Sequence, residues 1–327
     1  MKGLFPLLKD TAPYKTVLGD KRSGRLSHAY LVICADKAFI KDYLKILARV
    51  IVCNEEEPCG VCRNCRLTEE ETHPDVYFYP QKGDSVTAED VADLIEKTNL
   101  KPVEGDKKVF VLTGAETMNA SAQNKLLKTL EEPPAGVHIL IGGTSEYPLL
   151  PTVRSRTKKL EIPAFSAENI IGALKEECPD REKLETAVAL SDGTIGNALA
   201  LYGDESLAEV TETAIDVLTG MKSSRDVLKY SVKITSLKAD TEEFLSVFEL
   251  LLRDLLAHTE GKDELVQDRR ALKRTVKAEG FNTAALIYAL EKVTEAKKIK
   301  KFNGGGAMLV ERLLFSVLEG KHKWQKY

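Results

Sequence analysis

Between residues 28 and 165, short β-rich runs alternate with segments in which apolar positions recur every three or four residues. The runs are AYLVIC (29–34), VYFY (76–79), VFVL (109–112), VHILIGG (137–143) and KKLEI (158–162), each bounded by polar or turn-forming residues. The helical periodicity falls at 36–52, 87–98 and 120–132. Near-continuous apolar strands separated by amphipathic helices predict a parallel sheet with helices on its faces, a doubly wound α/β domain. In 120–132, Leu126, Leu127 and Leu130 share one side, Asn119 and Ser121 stand ready as caps, and Pro133 and Pro134 stop the helix.

After Pro163 the strand pattern ends. Residues 166–203 read as a group of short helices, with Ser166 as a cap and Asp192-Gly193 as a break. Longer amphipathic patterns follow, such as EEFLSVFELLLRDLLAHT (242–259) and AMLVERLLFSVLEG (307–320), which suit an all-helical region. NGGG (303–306) reads as a connection between helices. The predicted organisation is therefore an α/β domain at 1–165, a small helical domain at 166–205 and a larger helical domain at 206–327, in keeping with 327 residues.

Composition is that of a globular protein, 43% hydrophobic and 30% charged. A net charge of −3 excludes a strongly basic nucleic-acid binder of the whole-surface kind. The segment from Ala289 onward carries nine Lys and Arg against four Glu, which reads as a solvated helix face. No window holds the roughly 18 apolar residues of a membrane span, and MKGLFPLLKDTAPYK lacks the plan of a secretion signal, so a cytoplasmic protein with no membrane partner is expected.

Four of the six cysteines, Cys53, Cys59, Cys62 and Cys65, follow the spacing C-x5-C-x2-C-x2-C. Two residues between cysteines let both thiolates reach one ion from a tight turn, and four sulfurs close the shell of a structural Zn²⁺. Iron–sulfur ligation is the rival, although the usual fourth cysteine followed by proline is missing. His73 is a further possible ligand, but before Pro74 it reads as a surface histidine. Cys34 and Cys178 stand alone and read as small buried hydrophobes.

The stretch VFVLTGAETMNASAQNKLLKTLEEPPAGVHILIGGTSEYPLLPTVRSRTKKLEI resembles the clamp-loader branch of the AAA+ ATPases, most specifically in NKLLKTLEEPP (124–134) and VRSRT (153–157). SHAYLV (27–32) and the cysteine insert after the first helix match the same branch. The resemblance implies an AAA+ module with a zinc insert at 53–65, a lid at 166–205 and a collar that joins subunits at 206–327.

ATP-binding members carry G-x-x-x-x-G-K-[ST] after the first strand. Here Cys34, Phe39, Ile40 and Lys41 stand at the four motif positions. Such a loop has no glycine for an amide nest, no lysine in register for the phosphates and no hydroxyl for Mg²⁺. The acidic pair after the third strand is replaced by Thr113 and Gly114, with Glu116 two residues late, and the lid's G-x-x-R reads Gly193-Thr194-Ile195-Gly196. The resemblance therefore implies a subunit that neither binds nor hydrolyses ATP.

On residues alone, Arg154 and Arg156 are ordinary loop arginines. The match to the family's S-R-C motif makes Arg156 an arginine finger acting in trans, with Thr157 in place of the cysteine. The implied partners are the gamma/tau ATPase subunits and the delta subunit of a DNA polymerase III clamp loader, with the sliding clamp and primed DNA reached through the assembly. An active gamma/tau-type ATPase is the alternative, and it lacks the ligands it needs at Ile40, Thr113 and Gly114. A zinc-dependent nucleic-acid binder is disfavoured because Glu55, Glu56, Glu57, Glu69, Glu70 and Glu71 surround the cysteines against only Arg63 and Arg66.

Overall fold

In the computed structural model, residues 4–237, 241–301 and 306–324 are described. The chain forms two compact units, 1–165 and 166–327.

The first unit opens with α1 (Leu4–Lys9) and α2 (Ala12–Arg22), whose starting position is capped by the Thr11 side chain. β1 (Ala29–Cys34) leads into α3 (Ile40–Val52), and α4 (Arg63–Glu69) follows within the cysteine insert. Then come β2 (Val76–Tyr79), α5 (Ala88–Thr98), β3 (Lys108–Thr113), α6 (Ala120–Glu131), β4 (Val137–Gly143), α7 (Pro151–Arg154) and β5 (Lys158–Ile162).

The strands pair in parallel in the order β2-β3-β4-β1-β5. Every residue of β4, and all of β1 but Ile33, is buried, as strands covered on both faces must be. Their apolar runs are what made them visible in the sequence. Asn119 caps α6 by accepting the N–H of Ala122, and Leu126 and Leu130 bury that helix against the sheet core.

α3 begins four residues later than its periodicity suggested. The Asp36 carboxylate and carbonyl both accept the Phe39 N–H, which folds residues 35–39 into a turn ahead of the helix. Across the sheet, a Cβ on Gly142 of β4 would lie 2.6 Å from Leu44 Cδ1 and 3.1 Å from Ile40 Cδ1. The start of α3 therefore sits directly on β4, and a side chain at position 142 would have to push Leu44 and Ile40 aside.

The second unit contains α8 (Ala167–Leu174), capped by Ser166, α9 (Arg181–Ala189), α10 (Ile195–Gly203), α11 (Ser206–Gly220), α12 (Ser224–Thr235), α13 (Thr241–Thr259), α14 (Arg269–Thr275), α15 (Thr283–Lys301) and α16 (Gly306–Trp324). One apolar core runs through it, from Ala187 of α9 to Leu318 of α16. Thr186 of α9 also donates to the buried Asp268 at 2.6 Å, so the short helices and the longer ones share their packing. Of the connection expected at 303–306, residues 303–305 lie outside the described residues. Among the described residues, no helix is long and apolar enough to cross a membrane.

Candidate functional site: strand ends, cysteine knuckle and arginine turn

In a parallel α/β sheet, ligands bind outside the carboxyl ends of the strands where the strand order reverses. Here that region gathers the turn after β1, the turn after β3 and the end of β4. Cys34 closes β1 and is buried, and burial pushes its thiol up to about 12. Phe39 and Ile40 are buried as well, Ile40 by packing on Gly142. Lys41 points to the surface, where Nζ pairs with Glu71 at 2.6 Å.

Within the turn, the Asp36 carboxylate accepts the Phe39 N–H and the Tyr43 hydroxyl, each at 3.3 Å. Tyr43 is fully buried, and burial followed by the charge of Asp36 raises its pKa. An internal carboxylate is thus bound by the loop in the manner of an anion. The sequence reading missed Asp36, because a lone aspartate ahead of a helix reads as a cap.

After β3, Thr113 Oγ1 donates to the Tyr79 carbonyl at 3.1 Å and Gly114 takes a positive φ of 76°. Gly114 supplies the left-handed turn that swings the chain away from the sheet. Glu116 is drawn to the end of β4, accepting from the Thr144 N–H and hydroxyl at 3.2 Å each. In the second unit, Gly193 has φ 74° and Thr194 is buried, its hydroxyl donating to the Ser191 carbonyl.

The cysteine insert is a compact knuckle. Cys53 caps the end of α3, Gly60 turns the chain at φ 74°, and Cys62 begins α4. The sulfurs of Cys53, Cys59, Cys62 and Cys65 all lie within 4.8 Å of one another, with Cys53 Sγ 3.9 Å from both Cys59 and Cys62. Four sulfurs about 2.3 Å from one ion are spaced about 3.8 Å apart in a tetrahedron, so the donor set fits a closed metal shell. The Cys62 and Cys65 N–H groups donate to the sulfurs of Cys59 and Cys62, a pattern that favours thiolates.

Several acidic residues of the insert are matched within the chain. Lys9 pairs with Glu57 at 3.1 Å, Arg22 with Glu56 at 2.9 Å and Arg49 with Glu69 at 3.1 Å, while Lys21 Nζ donates to the Cys53 carbonyl at 2.7 Å. His73 is not on the surface, contrary to its sequence context. It is buried, its Nδ1 accepts the Asp75 N–H, and it stands outside the four-sulfur group.

Arg156 lies on the turn that follows α7. Its Nη2 is 2.7 Å from Glu131 Oε1, and its Nη1 donates to the Thr152 carbonyl at 3.0 Å and to Ser155 Oγ at 3.4 Å. The approach to α7 is pinned by Gln123 of α6, also missed in the sequence. This buried side chain donates to the Met118 and Pro148 carbonyls and accepts the Leu150 N–H at 2.7 Å.

The first unit is thus a parallel α/β module that carries a four-cysteine knuckle and a turn presenting an arginine. Residues 11–166 match the family described as DNA polymerase III, delta subunit. The delta' subunit of DNA polymerase III from Escherichia coli K12 is 32% identical over 205 residues, 61% of each chain. Its counterpart in Bacillus subtilis 168 is 28% identical over 94% of this chain and 95% of that one. The tau subunit of Salmonella typhimurium is 30% identical over 60% of this chain and 32% of its own length. The match to the Escherichia coli relative thus spans about three fifths of that protein. The chain belongs to the delta-prime family of clamp-loader subunits.

Proposed function

We propose that this protein is a noncatalytic subunit of a DNA polymerase III clamp loader. It provides Arg156 to the ATP site of a neighbouring gamma/tau-type subunit while the assembly, with a delta subunit, places a sliding clamp on primed DNA in the cytoplasm. The observation that carries the reading is the turn after β1. Phe39 and Ile40 are core residues there, and the loop binds its own Asp36 carboxylate.

Such a loop has no glycine for an amide nest and no lysine at position 40, where the motif needs one, and Thr113 and Gly114 offer no carboxylate for Mg²⁺. The arginine turn, by contrast, retains what action in trans requires, a half-exposed guanidinium on an ordered segment. An arginine supplied to a transferring phosphoryl group is worth about 10³–10⁵ in rate at the site it serves. The four cysteines hold a structural Zn²⁺ that fixes the knuckle and takes no part in the reaction. Residues 166–205 serve as the lid and 206–327 as the collar that joins neighbouring subunits.

Two measurements test this. Calorimetric titration of the isolated protein with Mg²⁺ and ATP gives no binding heat at high micromolar ATP; saturable micromolar binding would restore the active-ATPase alternative. In a complex reconstituted with the ATPase subunits, Arg156→Ala lowers ATP turnover and leaves assembly intact. Unchanged turnover would remove the finger assignment.

A further inference from the structure

Of the three groups that hold Arg156, Thr152 and Ser155 belong to its own turn, whereas Glu131 is brought to it from the end of α6. Glu131 is the last residue of that helix, where the dipole disfavours a carboxylate, and Lys128 is the basic residue of the last turn. A glutamate placed against the dipole is compensated here by the guanidinium it meets. The pair does not depend on two freely swinging side chains. Gln123 ties α6 to the segment that leads into α7, and so fixes the backbones at both ends of the contact.

A carboxylate and a phosphoryl group present the same kind of oxygen acceptor to a guanidinium. Glu131 therefore occupies donor capacity that a phosphoryl oxygen would use. We infer that Glu131 is a positioning residue that holds Arg156 in cis, and that Arg156 exchanges this carboxylate for phosphoryl oxygen when it enters a neighbour's ATP site. The inference rests on the trans role of Arg156. Both partners are partly exposed, so the pair is weak enough to open readily: it orders the arginine without trapping it.

The test is ATP hydrolysis by the reconstituted complex carrying Glu131→Gln, Arg156→Ala or both. Releasing the arginine raises kcat/KM for ATP about two- to fivefold, mainly through KM, the range that an exposed ion pair supplies. Arg156→Ala lowers turnover, the double variant matches Arg156→Ala alone, and the thermal stability of the Glu131→Gln chain stays at the parent value. Lower or unchanged kcat/KM for Glu131→Gln, with Arg156→Ala still impaired, overturns the exchange and leaves the finger standing. An equal gain from Glu131→Gln in the Arg156→Ala background also overturns it, because the glutamate would then act by another route. No effect of Arg156→Ala removes the finger and the exchange together.

Discussion

Replacing Asp36 by alanine deprives the buried hydroxyl of Tyr43 of its acceptor and leaves the Phe39 N–H with only the backbone carbonyl of residue 36. A buried donor left unsatisfied costs about 1–3 kcal/mol, and that is the expected loss. Tyr43→Phe removes one donor and keeps the carboxylate's other bond, and costs about 1 kcal/mol. Because the two residues share a hydrogen bond, the double variant should fall short of additivity by at least about 0.5 kcal/mol. Fluorescence is a poor probe, since the single tryptophan, Trp324, lies in the second unit. Hydrogen exchange of peptides covering residues 29–52 reads the first unit directly, and a loss of about 1–3 kcal/mol appears there as exchange faster by about 5- to 160-fold. Unchanged exchange in Asp36→Ala, or strict additivity with Tyr43→Phe, would refute the account of the loop as a turn closed on its own anion.

Two further predictions concern the metal and pH. Elemental analysis of protein purified without chelator should give about one zinc per chain, and Cys65→Ser should lower it sharply while Cys34→Ser leaves it unchanged; iron with visible absorbance would overturn the zinc assignment. Burial holds His138 and His73 below the ordinary histidine range, His138 with its ring Nδ1 2.8 Å from the Ser27 carbonyl. With folded pKa values depressed, their contribution is complete above the unfolded value of about 6.5 and is lost as pH falls below it. The melting temperature of the first unit should therefore drop between pH 7.5 and 5.5, less so in His138→Gln, and a flat profile in the parent protein would contradict the assignment.

The strands β1, β3 and β4 were legible because burial on both faces writes a continuous apolar run, and α6 because Asn119 and the two prolines punctuate it at both ends. The cysteine ligands were legible for a related reason, since their geometry is set within one short loop. What the sequence concealed lies in contacts between distant segments. Asp75 looks like a loop aspartate, yet its buried carboxylate accepts the N–H groups of Val103 and Glu104. His73, beside it, is buried with it. Gln123 and Glu131 both read as polar positions of one amphipathic helix, and only the fold shows that the first pins a loop and the second meets an arginine. The start of α3 was misjudged because Asp36, Lys37, Ala38 and Phe39 are all compatible with a helix, and only the bonds to Asp36 end the pattern.

The contact of Ile40 and Leu44 with Gly142 bears on any change to the loop. A lysine placed at position 40 would bring an ammonium group to the buried contact with β4 and would strip the first turn of α3 of its apolar seat. A phosphate loop at this place would thus demand concerted change in a strand and a helix as well as in the turn.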